Sequence, residues 1–268
     1  MQYSVLLNYT CALLNILGIT FTDGDFWFVQ RNFLVRHLRE FGFGKSTMEE
    51  MIKEQLYGIL SILKTNGSGI QVNKLFATSV LSVLWQLVAG STISRDDERM
   101  QLLLDILHER SKSFDMTGGV LSQHPWLRFI APHWTGYNLI KKLNNGLYKF
   151  FIETIRQHQA NGNDEICDNV ISAFLKKMNV DSSKSTTFTG KSVSHVTLIL
   201  NSALTCVEDQ LVMVCVDIFI AGSVTTSSLL NFAFLMLIFK PDIQKRIQAE
   251  IDGVVQSSTT LSYEAKQR

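Results

Sequence analysis

A long apolar run between Leu211 and Phe239 constrains this chain more than any other feature, because it holds a single charged side chain, that of Asp217. Acidic residues precede the run, and Lys240 and Pro241 end it. This order favours a helix, since the charges complement the helix macrodipole. A helix that is apolar on every side lies in a large core or in a membrane, and this run is long enough for a membrane span.

The middle of the run favours a buried helix that binds a ligand along one face. Small and hydroxylic residues fill it from Ala221 onwards. Alanine and glycine leave the backbone open to a flat rigid ligand, and a threonine one turn on directs its hydroxyl at the same ligand. Such hydroxyls also bond to the preceding turn and bend a helix. Helical spacing places five residues on this stripe: Ile218, Ala221, Gly222, Thr225 and Leu229.

The composition predicts a globular, mainly α-helical protein. The chain has 268 residues, of which 46% are hydrophobic and 18% charged, and its net charge is +1. Without a basic block, nucleic acid is not expected as a partner. The 3 prolines and the lack of alternating apolar runs favour helices over strands. The 4 cysteines lack paired spacing and are interpreted as free thiols in a reducing compartment, and no metal-binding histidine pattern occurs.

A second candidate site lies on a helix that Thr22 and Asp23 are expected to cap and that is expected to end near Phe41. Trp27 and Arg31 are four residues apart and share one face of this helix. The indole N–H and the guanidinium are donors without acceptors, so together they suit an anion such as a carboxylate. From the residues alone, the alternative is a surface cation–π pair, which is commoner in proteins at large.

Three segments resemble the cytochrome P-450 family of haem-thiolate monooxygenases. They are Gly24–Arg31, Ala221–Thr226 and Lys240–Gln244. The resemblance implies haem as the cofactor and a central helix that crosses the haem face. One position departs from the family pattern, because Val224 stands where an acid usually precedes the threonine. A missing acid lowers the rate of a proton transfer by roughly a hundredfold.

The resemblance also implies roles for individual residues. Trp27 and Arg31 would hold a haem propionate. Ala221 and Gly222 would line the oxygen pocket, and Thr225 would help to deliver protons as the catalytic residue. Two further side chains on the same stripe are expected to line the substrate pocket: Ile218 and Leu229.

Partners and a location follow from the same resemblance. A family member oxidises small hydrophobic substrates with molecular oxygen and receives electrons from an NADPH-dependent reductase, on a surface where Arg36 and Arg39 lie here. It works at the cytosolic face of the endoplasmic reticulum membrane. Residues 118–136 combine prolines, glycines, aromatic and basic residues, and are expected to form a loop region that roofs the substrate pocket and enters the membrane surface. A folded-over hydrophobic loop fits the same residues.

The chain is expected to divide into five segments. They are residues 1–17, an ill-defined N-terminal segment; 18–189, the helical part of the monooxygenase domain; 190–207, an anomalous insert; 208–255, the central helix and one further helix; and 256–268, a polar tail. Within the second segment, helices are expected at about 46–65, 73–89, 95–114, 138–159 and 164–177. The insert Gly190–Val207 interrupts a linker that otherwise runs from Thr189 into Glu208, and our hypothesis is a retained intron or an error in the assignment of the gene's exons.

The predicted fold class is mainly α, a truncated cytochrome P-450 domain. The family's N-terminal β-structure and the C-terminal loop whose cysteine ligates haem iron are expected to be absent. Glu153–Arg156 matches the family's ExxR pattern but precedes the central helix, so we interpret it as a surface pair. Such a chain is expected to bind haem poorly, to be inactive alone and to aggregate. Two alternatives are a non-enzymatic helical membrane protein spanned by Leu211–Phe239 and an inactive remnant of the enzyme.

Overall fold

A computed structural model describes residues 17–20, 22–66, 69–113, 120–124, 126–160, 168–181, 188 and 207–254. Every regular element in this part of the chain is a helix, which confirms the predicted fold class. In chain order the helices are α1 Gly24–Glu40, α2 Ser46–Asn66, α3 Val72–Ala89, α4 Glu98–Ser113, α5 Val120–Gln123, α6 Leu127–Ile130, α7 Tyr137–Ala160, α8 Val170–Asp181, α9 Val207–Phe239 and α10 Pro241–Val254.

Helix α9 is the element around which the others are arranged. It packs against α3, α4, α7 and α8, and its residues from Gln210 to Asp217 are all buried. The centroid of the Phe219 ring lies 6.1 Å from that of Trp85 on α3 and 5.0 Å from that of Phe151 on α7. Burial of these apolar side chains is the main favourable contribution to folding. The first half of the apolar run is therefore a core helix.

The second half of α9 is exposed, and α10 continues the same surface. We call this surface the open apolar face. Apolar surface of this extent marks a place that another body covers, or a site of association. Its large side chains are Leu229, Leu230, Phe232, Phe234, Leu235, Met236, Ile238, Phe239, Ile243, Ile247 and Ile251.

Within the part of the chain that the structure describes, two helices, α3 and α9, are long and apolar enough to cross a membrane by length and composition. Both lie partly inside the fold, with 56% of the most apolar window of α3 and 50% of that of α9 buried. The core helix of a soluble protein has the same length and composition. The buried first half of α9 therefore gives no support to the alternative in which Leu211–Phe239 spans a lipid bilayer.

The start of α4 corrects one prediction. Sequence spacing predicts a helix from about Arg95, with the preceding serine as its cap, whereas α4 begins at Glu98. The Asp97 carboxylate caps it by accepting a hydrogen bond from the Arg99 N–H at 2.7 Å. Arg95 therefore lies before the helix, where its guanidinium donates to the Ser79 hydroxyl on α3 at 2.7 Å. The capping aspartate, rather than the predicted serine, marks the boundary.

Other boundaries differ in smaller ways. Helix α8 begins at Val170 rather than near residue 164, and the Asn169 side chain accepts a hydrogen bond from the Ser172 N–H at 2.9 Å beside its first turn. The region predicted as a loop at 118–136 contains the one-turn helices α5 and α6. Pro241 begins α10, as predicted. Residues 1–16, residues 255–268 and the predicted insert up to residue 206 lie outside the described residues, and α9 starts at Val207.

Candidate active site on the central helix

Three hydroxyl groups in the middle of α9 bond to the helix's own backbone. The Thr225 hydroxyl donates to the Ala221 carbonyl at 2.5 Å. The Ser223 hydroxyl donates to the Phe219 carbonyl at 2.6 Å, and the Ser227 hydroxyl donates one turn back at 2.7 Å. The predicted back-bonding is confirmed. Each hydroxyl hydrogen is already committed, so each oxygen offers a ligand only lone pairs until its side chain rotates.

The predicted ligand stripe is open at its centre. Ala221 and Thr225 are exposed, although residues 210–217 of the same helix are buried. Ile218 is half-buried against the core, and Leu229 is 68% exposed. A flat apolar group can therefore approach the backbone at Ala221 and meet a hydroxyl oxygen one turn further on.

Gly222 contacts the neighbouring helix. A Cβ atom added at Gly222 would lie 3.0 Å from Cδ1 and 3.3 Å from Cδ2 of Leu84 on α3. The missing side chain thus lets α3 and α9 approach closely. This packing is a structural reason for glycine at the position, beside the ligand-binding role that the sequence predicts for it.

A cavity of about 150 Å³ lies between α9, α3 and α4, and its lining is mostly apolar surface with polar side chains at several points. Val224 lines it, so the position at which the family resemblance expects an acid borders this cavity. The Oδ1 atom of Asn231 is buried there without a hydrogen-bond partner among the described residues. The volume admits water, which the polar side chains can bond. The polar side chains come from all three helices: Asn73, Lys74, Gln101, Asp105, His108, Ser223, Ser227, Ser228 and Asn231.

On α1, Trp27 and Arg31 lie together. The Arg31 Cζ atom is 5.5 Å from the centroid of the Trp27 ring, with the indole half-buried and the guanidinium exposed. This is the cation–π pair that the residues alone allowed, and an arginine in such a pair still has donors for a carboxylate. Phe33 anchors the helix, since its ring centroid lies 5.5 Å from that of Phe174 and 4.9 Å from that of Phe188.

A contact that the sequence pattern did not predict joins the segment before α1 to α9. The Gly18 N–H donates to the Gln210 Oε1 atom at 2.8 Å, and the Gln210 Nε2 atom donates to the Gly18 carbonyl at 3.2 Å. The N–H groups of Ile19 and Thr20 both donate to the Asp217 Oδ2 atom, at 2.6 and 2.9 Å. We call these four hydrogen bonds the Gly18 clasp.

The residue Asp217 is only 8% exposed, which is unusual for an acidic residue. Burial raises the pKa of Asp217, because the carboxylate loses water, whereas the backbone hydrogen bonds and the charge of Arg110 oppose that rise. A lone acid in an apolar run was the signal that could have revealed the clasp, since a buried polar group requires partners. Its partners lie almost 200 residues earlier, so spacing alone does not identify them.

The aromatic side chains between α5 and α7 are exposed. Phe129, Ile130 and Trp134 are each more than 70% exposed, and the Arg128 Cζ atom lies 4.5 Å from the Phe129 ring centroid. Such exposure does not fit a hydrophobic loop folded over the core. Aromatic rings beside cations are typical of a segment that meets the interfacial region of a membrane.

Neither a metal cluster nor an accessible thiol occurs among the described residues. No group of histidine, cysteine or acidic side chains in that part of the chain could hold a metal ion. Cys215 is completely buried in α9, and burial raises the pKa of its thiol. A buried neutral thiol is a poor nucleophile and a poor ligand. Cys11, Cys167 and Cys206 lie outside the described residues.

Comparison with known proteins gives consistent matches. Residues 5–268 match the family described as cytochrome P-450. The probable cytochrome P-450 305a1 of Drosophila melanogaster is 39% identical over 92% of this chain and 47% of its own length. The probable cytochrome P-450 303a1 of the same species is 32% identical over 89% of this chain and 46% of its own length. The farnesoate epoxidase of Bombyx mori is 28% identical over 89% and 45%. The chain thus spans about half the length of the curated relatives it matches.

Proposed function

This chain belongs to the cytochrome P-450 family, and we propose that it forms a helical part of a haem-dependent monooxygenase that oxidises small hydrophobic substrates with molecular oxygen. The observation that carries the proposal is the open stretch of α9, where Ala221 and Thr225 are exposed within a helix that otherwise starts in the core. An exposed backbone with one hydroxyl fits the face of a large planar apolar cofactor. Bound haem with a thiolate ligand supplies the chemistry that activates oxygen.

Two residues of α1 are proposed to hold the cofactor at its periphery. The exposed guanidinium of Arg31 binds a carboxylate through two hydrogen bonds, and the indole N–H of Trp27 adds a third. The cation–π contact restricts the arginine before binding, so less side-chain entropy is lost when the carboxylate arrives. The axial thiolate is proposed to come from outside the described residues, because Cys215 is buried in the core.

Thr225 is proposed to handle protons at the open face. Its hydroxyl hydrogen lies on the Ala221 carbonyl, and rotation about χ1 frees it for donation toward a ligand. Val224 supplies no acid. After Thr225 donates its proton, the replacement proton must therefore arrive through water. The cavity beside Val224, with Asp105 and His108 among its lining residues, is proposed as the route of that water. Ile218 and Leu229 are proposed to contact the substrate above and below this turn.

The proposal also includes a reductase partner, a membrane location and a class of substrate. The exposed Arg36 and Arg39 on α1 suit an acidic patch on an NADPH-dependent reductase. The exposed aromatic residues between α5 and α7 suit the surface of the endoplasmic reticulum membrane on its cytosolic side. A relative named farnesoate epoxidase supports a small hydrophobic substrate for this chain.

Titration with haemin tests the proposal on the chain itself. We would follow the Soret absorbance of the 268-residue chain with imidazole added as an exogenous axial ligand. Arg31→Ala is expected to weaken binding about tenfold or more, since a charge-assisted hydrogen bond contributes about 1.5–3 kcal/mol. The matched control is Arg39→Ala, an exposed arginine on the same helix, which should bind like the wild type.

The outcomes separate clearly. A tenfold loss confined to Arg31→Ala, with a smaller loss for Trp27→Phe, supports the cofactor site. Equal affinity for the wild type and Arg31→Ala contradicts it.

A further inference from the structure

We propose that Gln210 and Asp217 are positioning residues, which hold the segment before α1 against α9 and so fix the Trp27–Arg31 pair relative to the open turn at Thr225. This inference rests on the proposed function, because it assigns these two groups to one site. The contact itself needs no cofactor. The four hydrogen bonds of the Gly18 clasp carry it.

The side chains of Gln210 and Asp217 both contact the segment before α1. Gln210 and Asp217 are seven residues apart, which is two helical turns, so they project from the same side of α9. They are 3% and 8% exposed, in a part of the helix that is otherwise apolar. A polar group in such a place costs free energy unless it is bonded. Both groups are bonded to the backbone of Gly18–Thr20, and the Thr20 side chain also bonds to the Asp217 carboxylate.

The backbone side of the clasp is equally specific. Gly18 has φ +82°, and a Cβ atom there would lie 2.4 Å from the Asp217 Oδ2 atom and 3.3 Å from the Met213 Cβ atom. A side chain at this position is therefore excluded twice, by the backbone conformation and by the approach of the carboxylate. Glycine allows the chain to lie directly on α9.

The clasp sits close to the candidate cofactor residues. Thr22 donates its hydroxyl hydrogen to the carbonyls of Gly18 and Ile19 at 3.2 and 3.3 Å, so the segment turns back on itself just before α1 begins. The other anchor of α1 is its aromatic contact with α8 and Phe188. Fixing this segment therefore fixes the end of α1 that carries Trp27 and Arg31.

The acceptor atom matters more than its charge in this role. One oxygen, Asp217 Oδ2, accepts both N–H groups. An amide oxygen in the same position accepts the same two bonds, whereas an alkyl side chain accepts none. Asp217→Asn should therefore keep the clasp, and Asp217→Leu should remove half of it while leaving an apolar side chain of similar size.

A distance measurement tests positioning directly. Nitroxide labels at Phe28→Cys and Thr226→Cys, both exposed positions, would report the separation of α1 from α9 by double electron–electron resonance. The background is the 268-residue chain with Cys11, Cys167 and Cys206 replaced by serine. We expect one narrow distance distribution for the parent and for Asp217→Asn, and at least a doubled width for Asp217→Leu. Ser227→Ala, which removes another buried polar group of α9, is the control and should stay narrow.

Amide hydrogen exchange adds a local readout. In Asp217→Leu, the N–H groups of Ile19 and Thr20 should exchange at least about tenfold faster, while those of the buried part of α7 keep their rates. Rescue by Asp217→Asn separates loss of the acceptor from a general loss of stability. An unchanged distance distribution and unchanged exchange in Asp217→Leu would overturn the proposal.

A replacement variant and a separate readout complete the test. If Asp217→Leu fails to fold by circular dichroism, Gly18→Ala opens the same clasp from the segment before α1 and takes its place. Failure of the proposed function appears elsewhere, as unchanged haemin binding in Arg31→Ala, and does not alter the distances. The two proposals therefore fail in distinguishable ways.

Discussion

Asp217 carries a charge that folding removes from water, and the stability of the protein should depend on pH accordingly. Its pKa is raised in the folded chain, so the folded chain holds this proton more tightly than the unfolded chain does. Between the ordinary aspartate pKa, about 3.9, and the raised folded value, unfolding releases a proton. The contribution of Asp217 to the free energy of unfolding therefore falls as pH rises through that window and is level above it.

Asp217→Asn tests this sign. The amide keeps the hydrogen bonds from Ile19 and Thr20 but does not titrate. We expect the wild-type free energy of unfolding, minus that of the variant, to decrease from about pH 4 upwards. Urea unfolding at a series of pH values measures the difference. A difference that increases with pH would mean that the carboxylate is stabilised by its surroundings, and would contradict the prediction.

Cys215 should be chemically silent until the protein unfolds. Its thiol is completely buried, and burial raises the pKa of that thiol, so little thiolate forms. In the background without the other three cysteines, we expect iodoacetamide to modify Cys215 at least about a hundredfold more slowly in buffer than in urea at the same pH, a difference set by burial and thiolate fraction. The matched control is Thr226→Cys, an exposed position on the same helix, which should react at similar rates in both solvents. Equal rates for Cys215 would place its thiol at the surface.

At the scale of the element, the two halves of α9 differ in burial. Its first half is a core element between α3 and α7, and its second half belongs to the open apolar face. The hydroxyl-rich turns around Thr225 lie where one half gives way to the other. A ligand that reaches the helix there meets a backbone that the core already holds rigid on one side, which reduces the entropy lost on binding.

Gly222 should tolerate alanine but not a larger side chain. Alanine gains up to about 1 kcal/mol of helix propensity over glycine, and this gain offsets a tight contact with Leu84. Leucine at the same position overpacks the interface between α3 and α9 and should cost about 1–3 kcal/mol. Chemical denaturation measures both variants. Leu84→Ala should partly rescue Gly222→Leu, and a lack of rescue would mean that the clash lies elsewhere.

The sequence predicted the elements well where the signal was local. Pro241 marks the start of α10, and the helix of Trp27 and Arg31 begins one residue after Asp23, although the Asp23 side chain makes no capping hydrogen bond. It did not predict that Asp97 would cap α4, because a serine and an aspartate both precede this helix, either can cap it, and local pattern does not choose between them.

The candidate site shows the same division. Helical spacing placed Ala221 and Thr225 together and predicted the hydroxyl bond between them. Gly222 illustrates what spacing omits, since its contact with Leu84 depends on how two helices cross. The Gly18 clasp was missed entirely, because the hydrogen bonds of a backbone turn with Gln210 and Asp217 depend on tertiary structure rather than on pattern.

At the scale of the whole molecule, the open apolar face should make the isolated chain associate. Its exposed leucine, isoleucine and phenylalanine side chains form a continuous surface on α9 and α10. We expect Phe232→Lys with Phe239→Lys to lower the weight-average mass in sedimentation experiments at increasing protein concentration. The control is Phe28→Lys with Val180→Lys, two scattered exposed positions, which should leave association unchanged. A monomeric wild type would contradict the prediction.

The Gly18 clasp also sets an order of events during synthesis. Its bonds join residues separated by 192 and 198 positions, so they form only after the ribosome has made the first half of α9. At roughly 5–20 residues per second, that interval is on the order of ten to forty seconds. Until then the amide groups of Ile19 and Thr20 remain hydrated, and the segment before α1 is not held against α9. The first part of the site to be translated is thus among the last to be locked in place.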